Sequence, residues 1–321
     1  MIFNSIDEFN IGEPTIVALG NFDGVHIGHQ ELIKTSVKVA KEMGIKSLCY
    51  TFSNHPKNVL AKINNKIGVF PPVRFISSNQ EKYEYIESLG IDYIISIPFD
   101  EKVMNTSAND FINKTLIEKL NAKGVVCGFN YTFGAKGSGN TRTLIGKGKE
   151  LGFNTYIHNP VTIDGEVVSS SLIRKNIESG NMKKSAKLLG HPYKISGIVT
   201  HGNSLGRTFD VPTANIILEA ERIVPPNGVY YTKTEVDGEV YNSISNIGVK
   251  PTIGNYAKSI ETNIFGLDKN IYDKRIKVEF YHWKRAERKF DDINELIEQI
   301  NIDAHEAEMW WNERSEQKTK Y

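Results

Sequence analysis

Cysteine is scarce in this chain. The two present, Cys49 and Cys127, form no CxxC pair, which excludes the redox or metal reading of that spacing. Each lies in an apolar run that reads as a buried strand, so both read as plain core thiols. Long apolar runs are missing as well: none approaches the eighteen residues a membrane helix needs. The N-terminus, residues 1–10, carries Asp7 and Glu8 in place of a basic region followed by an apolar one. A cytoplasmic protein with no membrane partner is expected. An excess of either charge is also absent: 39 Lys+Arg stand against 38 Asp+Glu, a net charge of +1. No global field holds a nucleic-acid backbone, and a nucleic-acid partner is not expected. Neither GxxxxGK[ST] nor GxGxxG occurs, so a bound nucleotide must be held by other means. Internal repeats and low-complexity segments are lacking too.

What is present is a globular balance, 40% hydrophobic and 24% charged, over 321 residues, enough for two domains with separate cores. The first half alternates strand-like and helical patterns. Strands are expected at 15–19, 47–52, 92–97, 124–127 and 155–158. Between them fall helices from about Gln30 to Met43 (stopped by Gly44), at 81–89, at 108–120 (opened by a Ser107 N-cap with Asp110 behind it) and at 142–151. An Asp164-Gly165 hairpin and a short helix at 171–178 follow. This is the signature of a parallel sheet covered by helices. Beyond about Leu189 the pattern changes to short alternating runs at 194–200, 228–236, 239–247, 261–265 and 275–283, with an Asp237-Gly238 turn. That predicts an antiparallel barrel or sandwich. A terminal helix from Asp292 to about Trp311 should pack Ile293, Leu296, Ile297 and Ile300 on it. The expected domains are 1–186 and 187–321.

The chemistry-bearing segments follow the same division. Gly20-Asn21-Phe22-Asp23-Gly24-Val25-His26-Ile27-Gly28-His29 joins a strand to a helix. Free N–H groups and partial positive charge at a helix start attract phosphate oxygens. His26 and His29 add donors, Gly28 lets a polyanion approach the backbone, and Gly24 relieves the turn. The arrangement suits a nucleoside triphosphate. Gly128 to Gly134, with Asn130, follows a buried strand at the carboxyl edge of the sheet, where α/β proteins bind ligands. Ser169, Ser170, Ser171 and Arg174 supply hydroxyls, a helix start and a guanidinium. In the second half, Gly202-Asn203-Ser204-Leu205-Gly206-Arg207 can bend over phosphates. Thr213 and Asn215, behind Pro212, place a hydroxyl and an amide oxygen two residues apart, suited to a hard cation such as Mg²⁺.

Residues 20–29 resemble the HxGH-type signature of the nucleotidylyltransferase superfamily, in the form seen in bacterial flavin adenylyltransferases. Residues 169–174 are similar to that family's second signature. The stretch Thr51 to Pro56, with His55, resembles its flavin-contacting segment, with Asn54 where proline is more usual. Residues 202–215, Asn227 to Tyr230, Asn246 to Thr252, Glu261 and Arg285 to Phe290 resemble riboflavin kinases. Covering the whole chain, the motifs are identified as those of bacterial bifunctional riboflavin kinase/FAD synthetases. The resemblance implies a Rossmann-like α/β nucleotidylyltransferase domain followed by an antiparallel β-barrel with a terminal helix. It implies ATP contacts for Gly20, Asn21, Phe22, Asp23, Gly24, His26, Gly28, His29, Asn130, Ser169, Ser170, Ser171, Arg174, Gly202, Gly206 and Arg207. Flavin contacts would fall to His55, Pro56, Asn130 and Arg285, metal contacts to Thr213 and Asn215, and the general base to Glu261. The implied partners are riboflavin, FMN, FAD, ATP/ADP and pyrophosphate with Mg²⁺; a homo-oligomer is left open. Asp210 and Asp273 stand where glycine is common, and Lys250 where arginine is. A member with one decayed module, and a flavin-binding regulator built on a dead enzyme, stay open as alternatives.

Overall fold

The computed structural model describes residues 1–10, 12–63, 71–200, 213–252, 255–290 and 292–319. The chain divides into two compact units, Met1–Ser170 and Ser171–Tyr321.

The first unit is built on a six-stranded, all-parallel sheet in the order β1-β4-β3-β2-β5-β8. Its strands are β1 (Ile2–Phe3), β2 (Thr15–Leu19), β3 (Lys46–Phe52), β4 (Tyr93–Ile97), β5 (Ala122–Gly128) and β8 (Asn154–His158). The central strands are apolar on both faces because both faces are covered. Along β2, Val17 and Leu19 enter one core with Leu48, Tyr50, Ile95, Val125, Phe111 and Leu116, while Ile16 and Ala18 enter another with Ile33, Ala40, Ile86 and Ile94. Helix α1 (Ile27–Met43) and helix α3 (Asn79–Ser88) supply the second core. Cys49 and Cys127 are buried free thiols, as the sequence predicts. Burial pushes the Cys127 thiol up to about 12.

Several local expectations need correction. Helix α1 begins at Ile27 rather than near Gln30, because the His26 imidazole serves as its N-cap. The helix expected at 108–120 is helical from Ala108, but from Phe111 to Lys119 it widens to π-type turns, as the Leu120 N–H bond to the Thr115 carbonyl at 3.0 Å shows. Phe111, Leu116 and Leu120 are spaced by five and four residues, and the wider turn brings all three into the core. A further helix, α2 (Pro56–Ile63), follows β3. The Asp164-Gly165 turn is present, with φ of 52° and 79° as a type I′ hairpin requires.

The second unit opens with helices α7 (Ser170–Glu178) and α8 (Met182–Leu189) and then closes a six-stranded antiparallel barrel, β11-β12-β15-β14-β13-β16. Its strands are β11 (Tyr193–Thr200), β12 (Thr213–Ile217), β13 (Gly228–Val236), β14 (Glu239–Thr252), β15 (Asn255–Ile264) and β16 (Arg275–Arg285). A closed barrel leaves no edge strand; β12, which the sequence pattern did not single out, seals it between β11 and β15. Asp237 and Gly238 form the expected turn, with φ of 52° and 85°. The barrel interior is partly polar: Thr234, Ser243, Thr232, Ser245 and Thr262 are buried and bonded in a chain of hydroxyls 2.8–2.9 Å apart.

The terminal helix (Ile293–Thr319) packs on the barrel most closely through residues further along it than the ones expected. Ile293 is 46% exposed, and Leu296, Ile297 and Ile300 are half-buried. Asp303, Ala307 and Trp311, one helical turn apart, are the buried positions. Ala307 and Trp311 meet Val229, Tyr231 and Ile244, while the Asp303 carboxylate takes the Arg285 guanidinium at 2.6–3.2 Å. A charge on the buried face is repaid by that ion pair, which a reading by hydrophobic period alone misses. Among the described residues no helix is long and apolar enough to cross a membrane.

Candidate active sites

In the parallel sheet, β2 is flanked by β3, which follows it, and by β5, which is reached by a crossover after β4. The strand order reverses between β2 and β5. Beyond the carboxyl ends of strands at such a reversal the backbone diverges and leaves a crevice. A cavity of about 1060 Å³ lies there, lined among others by Gly20, Asn21, His26, Gly28 and His29 after β2 and by Gly128, Phe129, Asn130 and Tyr131 after β5. That volume exceeds what one drug-sized ligand usually fills, and has room for two reactants side by side.

His26 and His29 form the polar end. Their rings stack with centroids 3.6 Å apart and planes 16° from parallel. The Nδ1 of His26 accepts the backbone N–H of His29 at 3.3 Å, which puts the ring proton on Nε2 in the neutral form. His29 is held well below the ordinary histidine range by burial, then by His26 and Lys82. It is therefore neutral at pH 7. Its Nδ1 is buried and, among the described residues, meets no hydrogen-bond partner. The first-turn amides of α1 have no intrahelical acceptors, and Gly28 leaves them approachable: a Cβ there would stand 3.3 Å from the His26 ring.

Phe22, Asp23 and Gly24, expected at the nucleotide, do not line the cavity. They are buried and shape the turn. Phe22 has φ 51°, and a Cβ on Gly20 would stand 3.0 Å from its ring. Gly24 has φ 75°, and a Cβ there would stand 2.6 Å from Ile76. The Asp23 carboxylate accepts the N–H groups of Ile76 and Ser77 at 2.9 and 3.3 Å, and Gly24 N–H donates to the Ser77 hydroxyl at 3.1 Å. Segment 76–82 thus braces the turn from behind.

The same segment secures the exit of β3. Lys82 donates to the Phe52 carbonyl at 2.7 Å and Asn79 to the Ser53 carbonyl at 2.7 Å. Asn54 is bonded both ways to the Phe99 backbone, at 2.7 and 3.1 Å. A proline there could make neither side-chain bond, so the departure at Asn54 has its own compensation. Pro56 lines the cavity; His55 is buried beside it, its Nδ1 accepting Lys57 N–H at 3.2 Å. Phe52, Pro98, Phe99, Phe111, Tyr131 and Phe133 give this end an apolar wall. Ser169 and Ser170 lie on the cavity lining, Ser170 donating to the Asp23 carbonyl at 3.2 Å. Ser171 and Arg174 belong to the second unit, on α7.

In the barrel, Asn215 on β12, Glu261 on β15 and Asn246 on β14 are direct register partners. Directly opposed residues share a face, so these three form one row across three strands. Thr213, two residues before Asn215, is on the same face. Asn215 is buried and Glu261 half-buried. A hydroxyl, amide oxygens and one carboxylate are hard donors. Among the described residues no group of three or more His, Cys, Asp and Glu could cage a metal alone. This set fits Mg²⁺, which takes one or two protein ligands and completes its shell with phosphate and water.

Arg285 is engaged with Asp303 as described above. Asp273 has φ 61°, a conformation aspartate tolerates better than most residues. Gly202, Gly206, Arg207 and Asp210 lie outside the described residues, as does the Lys250 side chain. Sequence reading missed the aromatic wall, because its members come from four separate segments. It also missed Lys82, although a lysine four residues before Ile86, on the core-facing side of α3, is visible as a break in the apolar period.

The family model described as FAD synthetase matches residues 9–172, and that described as riboflavin kinase matches residues 189–311. A bifunctional riboflavin kinase/FMN adenylyltransferase from Bacillus subtilis (strain 168) is 40% identical over 298 residues, 91% of this chain and 91% of that protein. One from Haemophilus influenzae is 33% identical, covering 92% of this chain and 94% of its own length. A crystal structure named as a macrolide-efflux protein from Streptococcus pneumoniae has a TM-score of 0.81 and 29% identity, covering 94% of this chain and 96% of that one. Efflux is a statement about that protein; the shared property is the fold.

Proposed function

We infer that this chain, which belongs to the family of bifunctional riboflavin kinase/FMN adenylyltransferases, carries both activities, phosphorylating riboflavin to FMN and transferring AMP from ATP to FMN to give FAD and pyrophosphate. The observation that carries the reading is the placement of two different polar centres in two units: a stacked histidine pair at a helix start in the sheet's crevice, and a carboxylate row-partnered with amides on the barrel.

In the first unit, His26, His29 and the α1 amides take the ATP phosphates, with Gly20, Asn21, Ser169 and Ser170 around them. Phe22, Asp23 and Gly24 serve the nucleotide by holding the turn. The apolar wall with Pro56 takes the flavin ring, His55 supports it, and Asn130 faces the phosphate end. An oxygen of the FMN phosphate attacks the α-phosphorus, and the bond to pyrophosphate breaks. The nucleophile is already an anion at pH 7, so no base is required and rate comes from alignment and charge neutralisation. Ser171 and Arg174 are assigned to the departing pyrophosphate, an anion that a guanidinium fork suits.

In the barrel, Glu261 accepts the proton of the riboflavin 5′-hydroxyl as that oxygen attacks the γ-phosphorus and the bond to ADP breaks. Thr213 and Asn215 would hold Mg²⁺, which neutralises phosphate charge when bound. Gly202, Gly206 and Arg207 are assigned to ATP, and Arg285 to ordering the flavin side through its bond with Asp303. The domains are proposed as 1–186 and 187–321. Buried free thiols and an ATP-dependent chemistry fit a cytoplasmic enzyme. Its partners are riboflavin, FMN, FAD and adenine nucleotides, with no nucleic acid. The test is two separate assays, riboflavin with ATP for FMN and supplied FMN with ATP for FAD, each with and without a Mg²⁺ chelator. Both products should form and both should vanish with chelation; an FAD assay that stays blank with supplied FMN refutes the first assignment independently of the second.

A further inference from the structure

The buried ammonium of Lys82 is unused by either reaction as described. Lys82 is 3% exposed. Taking a lysine charge out of water costs several kcal/mol in principle, unless partners repay it. Repayment here is thin. Among the described residues the Nζ has one hydrogen bond, to the Phe52 carbonyl at 2.7 Å. An ammonium carries three donors. The groups that face it electrostatically are Asp23 from the turn, Cys49 from β3 and His29 from α1, with the Tyr83 ring of its own helix 5.4 Å away. A methionine would fill the same volume without the cost. A buried charge with so little structural return, beside a cavity read above as the phosphate-binding site, points to a role at that site.

Its position says how. Lys82 ends the brace formed by segment 76–82, at the point where the brace stops holding the Gly20–His29 turn and starts holding the exit of β3. The Phe52 side chain lines the apolar end of the cavity, and His29 the polar end. One side chain therefore relates the flavin wall to the phosphate end. We propose that Lys82 is a positioning residue for AMP transfer, its buried ammonium fixing the Phe52 carbonyl at the flavin wall and placing a positive charge beside the phosphate-binding turn. The proposal rests on the reading of this cavity as the AMP-transfer site.

Burial lowers Lys82 to about 8, against the opposing pull of Asp23 and Cys49. As pH rises through that value the proton is lost, and with it the charge beside the phosphates. AMP transfer should then fall on the alkaline side of about pH 8. FMN formation by the same protein in the same buffers provides the control, since it shares ATP and Mg²⁺ but not Lys82.

The experiment uses the full chain, wild type and Lys82→Met, with both activities assayed across pH 6 to 10. Wild type that makes no FAD from supplied FMN refutes the site reading itself, and the lysine is then moot. Given an active wild type, Lys82→Met should lower kcat for AMP transfer about 10–100-fold, the cost of small misplacement of reactants. It should also lose the alkaline limb and keep riboflavin phosphorylation unchanged. AMP transfer within twofold of wild type, with the same pH profile, makes Lys82 a structural residue and overturns the proposal. If Lys82→Met fails to fold, the wild-type profile decides: an alkaline limb in FAD formation but not in FMN formation supports the proposal, and parallel profiles reject it.

Discussion

Glu261→Gln should lower FMN formation by about 10²–10⁴, the usual contribution of a general base, while supplied FMN is still converted to FAD. The exchange keeps size and leaves an amide that can sit opposite Asn215 and Asn246, its register partners on β12 and β14. What it removes is the one carboxylate of that row. The hydroxyl of riboflavin is a poor nucleophile until its proton has somewhere to go, so the loss falls on kcat. Stability should change little, because Glu261 is half-buried on the barrel surface and not part of the interior hydroxyl chain. Kinase turnover within a few-fold of wild type would make Glu261 a strand residue and leave the barrel without a base.

The complementary result is expected for His29→Ala. Removing one preorganised hydrogen-bonding group from a site commonly costs about 10²–10³ in rate, and His29 lines the cavity with a buried Nδ1 that meets no partner among the described residues. The substitution also unstacks His26, whose Nδ1 still caps α1 through the backbone N–H of residue 29, so the helix start survives. FAD formation should drop by that factor, with riboflavin phosphorylation near normal. An equal loss of both activities in a folded variant would contradict the assignment of the two chemistries to two sites.

The legibility of these sites in the sequence differs by physical cause. The central strands were readable because burial on both faces leaves uninterrupted apolar runs, as in Ile16 to Leu19. The two I′ turns were readable because Asp-Gly fits left-handed backbone at both positions. The start of α1 was displaced because an imidazole, and not a serine or aspartate, caps it. In the terminal helix the most buried stretch lies further along the chain than expected, because it carries Asp303, satisfied by Arg285 eighteen positions away and by Gln299. Residues 20–29 were legible as a phosphate-binding segment, but local order cannot separate those that face the cavity, such as His29, from those that hold the turn, such as Asp23. Lys82 and the aromatic wall needed the tertiary structure, since only the crossover between β2 and β5 brings them to one place.

One chain thus carries two sequential reactions, each assigned to its own site. The most direct measurement is a time course with wild-type protein, riboflavin, ATP and Mg²⁺, with flavins separated by chromatography. FMN should appear first and FAD after a lag, with pyrophosphate released in step with FAD and ADP in step with total phosphorylated flavin. Unchanged riboflavin throughout, or FMN that accumulates without conversion while supplied FMN is equally inert, would contradict it.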